Sequence, residues 1–180
     1  AYAQLLPEDG CLIINGQIDH LEEITSGLSC RVITFGNNSG TDYYFDELTY
    51  DNTGNPNFTL HGPGLPERHI CLKVPGEHNV YNAMAAAALA DSLSIDSAFT
   101  IAALENFTGV DRRFEYKGTI GGVTVIDDYS HHPTEITSAL KAAANRPHNT
   151  LWCVFQPHTY TRTKAFLKEF AKALSLADRV

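Results

Sequence analysis

Two apolar runs, each followed by a polar loop and a helix signal, constrain the fold of this chain more than any other feature. Residues 123–126 are typical of a short buried strand, and residues 151–155 form a continuous apolar run of strand length. The order strand, loop, helix, strand, loop, helix predicts a βαβα unit whose two strands are parallel neighbours. Both polar loops would then lie at one edge of the sheet, where open α/β sheets bind ligands.

The first polar loop is dense in reactive side chains. It carries two carboxylates, a phenol, a hydroxyl and two imidazoles: Asp127, Asp128, Tyr129, Ser130, His131 and His132. Pro133 suits the first turn of a helix and Glu135 suits the positive end of the helix dipole, so we expect a helix to begin at Pro133. An ordinary polar loop that caps a helix is the alternative, but six such residues in a row favour a ligand site.

The second polar loop, residues 156–163, contains His158 and Arg162 and precedes a helix that we expect from about Thr163. An arginine can hold a carboxylate or phosphate through two parallel hydrogen bonds. A solvated arginine is the alternative. Because a cation is unfavourable at the start of a helix, the position of Arg162 favours a bound anion.

A third motif opens an alanine-rich helix at residues 76–82. Asn79 and Asn82 are three residues apart and share a helical face, and each amide offers the donor and acceptor that a base edge requires. The helix N-terminus would favour a nearby anion. A simple capping role for Asn79 stays open as the alternative.

Composition sets limits on function and location. The formal charge of −8, with no basic stripe, argues against a nucleic-acid or membrane-surface protein, although one or two local cations suffice for a nucleotide. No apolar run approaches the roughly 20 residues that span a bilayer, and residues 1–10 lack the pattern of a signal peptide. The four cysteines show no CxxC pairing. We therefore expect a cytoplasmic protein with free thiols.

The remaining sequence predicts further elements of an α/β protein. We expect strands at 12–15 and 31–36, a short antiparallel appendage over 37–75, and a long helix from Gly76. A second helix should start at a cap on Asp96 or Ser97 and run through Asn106, and residues 108–111 are the best candidate hinge. The chain looks cut at both ends: it opens like the tail of a helix and stops where another strand should start.

Three motifs together resemble the Mur ligases, the ATP-dependent amide ligases of peptidoglycan synthesis. They are GEHNVYN at 76–82, GVDRRFE at 109–115 and DDYSHHPTE at 127–135, in the order and spacing of that family, and FQPHTYTRT at 155–163 narrows the resemblance to its alanine-adding branch. The resemblance implies that residues 1–107 are the later part of a central ATP-binding α/β domain. Residues 108–180 would be the first half of a Rossmann-like C-terminal domain with parallel strands. No GxxxxGK[ST] phosphate loop occurs, so this segment alone should be inactive.

The resemblance also implies a reaction, in which L-alanine is joined to UDP-N-acetylmuramate through an acyl phosphate, with ATP and Mg²⁺ as cofactors. The magnesium ligands would lie outside this segment, and we expect no metal site within it, because adjacent histidines such as His131 and His132 rarely converge with His158. The implied nucleotide-binding residues are His78, Asn79, Asn82, Arg113 and Asp128, and the implied residues of the alanine pocket are Tyr129, His131, His158 and Arg162.

The reaction also needs a base, because the alanine amine must arrive neutral. His131 or His158 could accept the proton, and the sequence leaves that choice open. Many relatives carry arginine at the position of Thr159, so Arg162 would act here with one fewer cation. Two other functions remain: a murein tripeptide-recycling ligase of the same family, and a non-catalytic module that binds a nucleotide or an amino acid.

Overall fold

The computed structural model describes residues 2–180 and confirms the α/β class. The chain divides into two compact units. The first comprises residues 2–49, 57–72 and 79–106, and the second comprises residues 50–56, 73–78 and 107–180. Two short loops from the first half of the chain therefore belong to the second unit.

A five-stranded sheet forms the first unit. Its strands follow chain order: β1 Cys11–Asn15, β2 Arg31–Gly36, β3 Tyr43–Tyr50, β4 Pro56–His61 and β5 Arg68–Cys71. β1 pairs parallel with β2 across helix α1 (Leu21–Thr25), β2 pairs parallel with β3, and β4 pairs antiparallel with β5. The antiparallel pairing predicted within residues 37–75 is confirmed for β4 and β5, but these residues are not a separate appendage, because β3, β4 and β5 belong to the same sheet as β1 and β2. Their inward side chains Tyr43, Phe45, Phe58, Leu60 and Ile70 are buried.

The helices of this unit agree with the sequence. α2 spans Glu77–Ser92 and buries Val80, Ala83, Met84, Ala87 and Ala88. α3 spans Ser97–Asn106, and the Asp96 carboxylate accepts the Ala98 N–H at 2.8 Å, which confirms the predicted cap. The chain opens with a single 3₁₀ turn, Ala3–Leu5. No helix within residues 2–180 combines the length and apolar character needed to cross a membrane.

The second unit holds a hairpin and three helices. β6 (Glu115–Ile120) pairs antiparallel with β7 (Val123–Asp127) across Gly121 and Gly122, which both have positive φ. α4 spans Pro133–Ala144, α5 spans Tyr160–Ala165 and α6 spans Leu167–Leu174. The strand predicted at 123–126 and the helix predicted from Pro133 are therefore confirmed, but the predicted burial of that strand is wrong, because Val123 and Val125 are exposed and Ile126 is half-buried. The helix expected from about Thr163 is instead two short helices that begin at Tyr160.

The predicted parallel pairing of residues 123–127 with residues 151–155 is wrong. β7 pairs with β6 in a two-stranded antiparallel sheet, and residues 151–155 form a single parallel bridge, Trp152 to Arg179. In that bridge Cys153 N–H donates to Arg179 O at 2.8 Å and Arg179 N–H donates to Leu151 O at 3.2 Å. The parallel geometry expected of this unit thus occurs between residues 151–155 and the last residues of the chain.

The apolar run at 151–155 is also covered on one face only. Leu151, Cys153 and Phe155 pack against the core of α4 and α6, whereas Trp152 and Val154 are 68% and 100% exposed. A continuous apolar run such as this one predicts a strand covered on both faces, and that prediction is wrong here. Here the alternation of the strand sends every second side chain to solvent.

Candidate functional site

Asp128 fastens the first polar loop to the segment that precedes β6. Its Oδ2 accepts the N–H of Phe114 at 2.8 Å, and its Oδ1 accepts both the N–H of Ser130 at 2.8 Å and the Ser130 hydroxyl. A carboxylate offers about four acceptor directions, so these three donors occupy most of them. Beside this, Tyr129 N–H donates to Arg112 O at 2.7 Å. The start of the loop is therefore fixed by hydrogen bonds to the backbone.

A capping box closes the end of the same loop. The His132 Nδ1 accepts the N–H of Thr134 at 3.3 Å, and Glu135 Oε2 accepts the N–H groups of His131 and His132 at 2.9 and 3.2 Å. Burial raises the pKa of Glu135, but these two N–H groups together with the charges of His131 and Arg113 bring its pKa below the usual value. His132 and Glu135 thus have the structural role that was considered as the alternative for this loop.

Tyr129 and His131, two residues of the predicted alanine pocket, lie together. The His131 Nδ1 is 3.0 Å from Tyr129 O and 3.5 Å from Glu135 Oε2. The two rings meet edge to face with centroids 5.4 Å apart, and the Arg112 guanidinium lies 5.8 Å from the centroid of the Tyr129 ring. The loop therefore presents a phenol and an imidazole in a defined mutual orientation.

Three of the predicted nucleotide-binding residues lie within electrostatic range of one another in the second unit. The pKa of His78 is lowered chiefly because protein atoms displace water from its imidazole, although the residue as a whole remains exposed. Asp128 raises the pKa of His78, and Arg113 lowers it. His78, Arg113 and Asp128 are therefore neighbours, as a shared ligand would require.

The other two predicted nucleotide-binding residues are paired on α2. Asn82 Nδ2 donates to Asn79 Oδ1 at 3.1 Å, so the two amides share a helical face as expected. Asn79 lies inside the first turn of α2, which begins at Glu77, and so it is not the capping residue itself. This hydrogen bond orients the side-chain amides of Asn79 and Asn82 relative to each other.

Fewer side-chain hydrogen bonds hold the second polar loop than the first. His158 is exposed and Arg162 is half-buried within α5, and no hydrogen bond or ion pair within residues 2–180 joins either side chain to Tyr129 or His131. Thr159 precedes α5 with φ of 67° and gives no side-chain cap. A ring contact of 5.1 Å between His132 and Phe166 links the first loop to the junction of α5 and α6.

A cavity of about 200 Å³ lies beside these elements in the second unit. Asp128 and Ser130 of the first loop line it, together with Phe155 at the end of the second apolar run and Ile136 and Leu140 of α4. The ends of both apolar runs therefore border one space although the two runs do not pair, but residues 156–163 of the second polar loop do not line it.

The contacts of several residues that shape the site are not predicted from the sequence. Ser130 follows Asp128 by two residues, which is the spacing of an Asx turn and could have indicated its hydrogen bond. Arg112 and Phe114 hold positive φ values of 61° and 49°, and Phe166 contacts His132 through the fold. The sequence does not predict the contacts of these three residues, because their partners lie at distant positions in the chain.

Comparison with known proteins identifies both halves of the chain. Residues 3–90 match the Mur ligase middle domain, and residues 112–180 match the Mur ligase glutamate ligase domain. The UDP-N-acetylmuramate–L-alanine ligase of Agathobacter rectalis is 50% identical over 179 residues, which are 99% of this chain and 39% of that protein. The chain thus spans about two fifths of the curated relatives that it matches.

Two solved structures share the fold. The UDP-N-acetylmuramate-alanine ligase MurC of Thermotoga maritima is 34% identical with a TM-score of 0.72, over 93% of this chain and 36% of that one. A murein peptide ligase of Psychrobacter arcticus is 27% identical with a TM-score of 0.69, over 98% of this chain and 37% of that one. Because the two domain matches fall on the regions that hold the sequence motifs and follow one another in the family's order, the chain belongs to the Mur ligase family.

Proposed function

We propose that this chain is part of an ATP-dependent ligase that joins L-alanine to UDP-N-acetylmuramate in peptidoglycan synthesis. The observation that carries the proposal is the 50% identity to a ligase of that name, which extends through both polar loops. In this proposal residues 1–107, of which Ala1 lies outside the described residues, belong to the central domain. Residues 108–180 belong to the amino-acid-binding domain, and the protein acts in the cytoplasm.

The residues of this chain fit an adenine nucleotide in part. Asn79 and Asn82 offer amide groups to the base, and the exposed cation of Arg113, beside His78, suits phosphate oxygens. Asp128 already accepts three hydrogen bonds, so it has room for about one more, such as that of a ribose hydroxyl. When bound, ATP supplies the phosphoryl group that activates the muramyl carboxylate. Mg²⁺ would be held by residues beyond this segment.

The amino-acid end of the reaction falls to the two polar loops. Tyr129 and His131 are held in place by hydrogen bonds and can orient the incoming amine. Arg162 is suited to the alanine carboxylate, because its guanidinium can form two parallel hydrogen bonds with it. His131 or His158 takes the proton from the amine. The protein contributes positioning and charge stabilisation and needs no nucleophile of its own.

The murein tripeptide-recycling ligase is the second candidate. The similarity to the murein peptide ligase structure favours it, although that identity is 27% against 34% for the alanine ligase structure. The two functions differ in the acceptor, a free amino acid against a peptide. The third hypothesis is a non-catalytic binding module, which would show no turnover with either acceptor.

The test is phosphate release by the complete protein encoded around this segment. With ATP, Mg²⁺ and UDP-N-acetylmuramate present, we expect release to depend on L-alanine and not on the murein tripeptide. Dependence on the tripeptide would establish the recycling ligase, and no release with either acceptor would establish a binding module. The 180-residue chain alone should show no turnover, because it contains no phosphate loop.

A further inference from the structure

The ring of His131 is held through one nitrogen. Its Nδ1 lies 3.0 Å from the carbonyl oxygen of Tyr129 and 3.5 Å from Glu135 Oε2. Neither oxygen carries a proton to give, because a carbonyl only accepts and the pKa of Glu135 lies below its usual value. The Nδ1 of His131 must therefore be the donor.

This contact fixes the tautomer of the neutral imidazole. With the proton on Nδ1, the lone pair of a neutral His131 lies on Nε2. The side chain is 37% exposed, and its Nε2 has no hydrogen-bond partner within residues 2–180. In water a free histidine prefers the opposite tautomer, so the fold here selects the form that can accept a proton at the exposed nitrogen.

Glu135 is held so that it can support this ring. Its Oε2 accepts the backbone N–H groups of His131 and His132, and the same oxygen faces the His131 Nδ1. The carboxylate therefore cannot turn away without breaking the cap of α4. A carboxylate behind the protonated nitrogen stabilises an imidazolium, which is the state of the ring after it has accepted a proton.

His158 differs in each of these respects. Its side chain is exposed, and no hydrogen bond within residues 2–180 orients its ring. His148 is a more informative comparison, because its Nδ1 lies 2.6 Å from Arg146 O, two residues earlier, just as His131 contacts Tyr129 O. No carboxylate within residues 2–180 forms an ion pair with His148, so it shares the tautomer of His131 without the charge support.

We propose that the Nε2 of His131 accepts the proton of the alanine ammonium group, and that Glu135 and the Tyr129 carbonyl are the positioning groups that hold the ring for this step. One proton leaves the ammonium group and joins Nε2, so the products are a neutral amine with a free electron pair and an imidazolium paired with Glu135. This inference rests on the proposed function for the identity of the amine. The tautomer itself does not depend on it.

The tautomer is measured on the 180-residue chain by long-range ¹H–¹⁵N correlation NMR of the histidine rings above pH 8. We expect His131 and His148 as the Nδ1–H form and His158 as the mixture seen in free histidine. His131→Gln assigns the resonance. An Nε2–H form of His131 would overturn the inference whether or not the ligase reaction is found.

Kinetics of the complete enzyme test the proton transfer. His131→Gln should lower kcat with L-alanine by on the order of 10²- to 10⁴-fold, the usual contribution of a general base. The deficit should shrink as the pH approaches the pKa of the alanine amine, because the amine then arrives neutral. Glu135→Gln should give a smaller loss with the same pH trend, and His148→Gln should leave kcat unchanged.

Each outcome decides a different claim. If His131→Gln lowers kcat by the same factor at every pH, His131 has a structural role only and the inference is contradicted. A wild-type kcat in His131→Gln would also contradict it. Misfolding of the His131→Gln variant is checked by the ring resonances of His148 and His158. These resonances should be the same as in the wild-type chain. A wild-type enzyme that releases no phosphate with L-alanine would instead contradict the proposed function.

Discussion

The two polar loops of the second unit follow the same sequence pattern but differ in how they are held. The first loop, residues 127–132, is fixed by Asp128 near its start and at its end by the capping box that His132 forms with Glu135 of α4. The second loop, residues 156–163, runs into α5 without a side-chain cap and with Thr159 at a φ of 67°. The pattern of strand, loop and helix therefore predicts where a site lies, while the capping residues decide how rigidly it is built.

This difference predicts different roles in substrate binding for the two loops. A loop whose backbone is fixed can orient Tyr129 and His131 before the substrate arrives, which reduces the entropy lost on binding. Arg162 lies half-buried on a six-residue helix that follows the less constrained loop. We expect it to gain its contacts from the ligand itself.

Arg162→Ala should have the largest effect, and it acts on the second loop. Loss of a charge-assisted hydrogen bond costs roughly 1.5–3 kcal/mol, so the KM of the complete enzyme for L-alanine should rise about ten- to hundredfold. Arg162→Lys should also bind alanine poorly, because lysine has no planar fork. The measurement is a steady-state titration of each substrate. Lys164→Ala removes an exposed cation from the same helix and serves as the control.

The outcome for ATP decides how the Arg162 result is interpreted. The KM for ATP should barely move, because the nucleotide is assigned to other residues. Equal damage to both substrates would indicate a folding defect. An unchanged alanine KM would remove Arg162 from the pocket, and Thr159→Arg should tighten alanine binding if Arg162 acts one cation short.

Asp128→Ala should release the start of the first loop. It removes a carboxylate that accepts three hydrogen bonds, and we expect the free energy of unfolding to fall by about 2 kcal/mol. Trp152 is the sole tryptophan of the chain and lies in the second unit, so its fluorescence in a urea titration reports on that unit. Asp127→Ala changes the neighbouring exposed carboxylate and should cost less than about 0.5 kcal/mol. Equal losses in the two variants would contradict the role given to Asp128.

Glu135→Ala should release the end of the first loop. The N–H groups of His131 and His132 lose their shared acceptor, so unfolding should become easier by about 1 kcal/mol in the same titration. Glu169→Ala is the matched control, because Glu169 also lies in the first turn of a helix, α6, but is exposed and accepts no capping hydrogen bond within residues 2–180. Its expected cost is a few tenths of a kcal/mol. A cost at Glu169 as large as that at Glu135 would remove the distinction between the loops.

Thr159→Gly should stabilise the second loop. A β-branched residue at positive φ is strained, and glycine removes that strain at a smaller entropic cost, so we expect a net gain of about 1 kcal/mol or less. The bond from Thr163 N–H to the carbonyl of residue 159 is retained. Thr161→Gly, two residues later and inside α5, should instead destabilise the chain by a similar amount. Destabilisation in both variants would show that residue 159 is not strained.

His78 gives the smallest expected effect, through pH. Its pKa is lowered in the folded chain from its ordinary value of 6.5, so below about that pH the unfolded chain binds more protons than the folded one. Stability should therefore fall as the pH drops from 7.5 through 6.5 toward the folded pKa. His78→Gln should flatten this part of the curve, and the difference between the two curves isolates His78 from other titrating groups. Parallel curves would contradict the shift.

The local parts of the fold and site were accessible from sequence. Pro133 and Glu135 marked the start of α4, and Asp96 marked the cap of α3, because these signals act within one helical turn. The strand partners were not accessible. An apolar run at 151–155 indicates a strand but carries no information on its neighbour, and residues 37–75 joined the main sheet through side chains that only the fold brings together.

The site shows the same limit. The residue types at 127–132 predict a ligand site, and the structure brings the rings of Tyr129 and His131 into contact. The sequence could not distinguish a base from a cap among the histidines. That distinction depends on the hydrogen-bond partner of the ring Nδ1, which is a carbonyl oxygen for His131 and a backbone N–H for His132, although the residues are adjacent.

Amide hydrogen exchange on the 180-residue chain tests the contrast between the loops most directly. The N–H groups of Phe114, Ser130, His131 and His132 are hydrogen-bonded to Asp128 or Glu135, and we expect them to exchange at least about tenfold more slowly than those of Gln156, His158 and Thr159. The protection should disappear in Asp128→Ala and Glu135→Ala at the amides that each carboxylate holds. Equal exchange in the two loops of the wild-type chain would contradict the account.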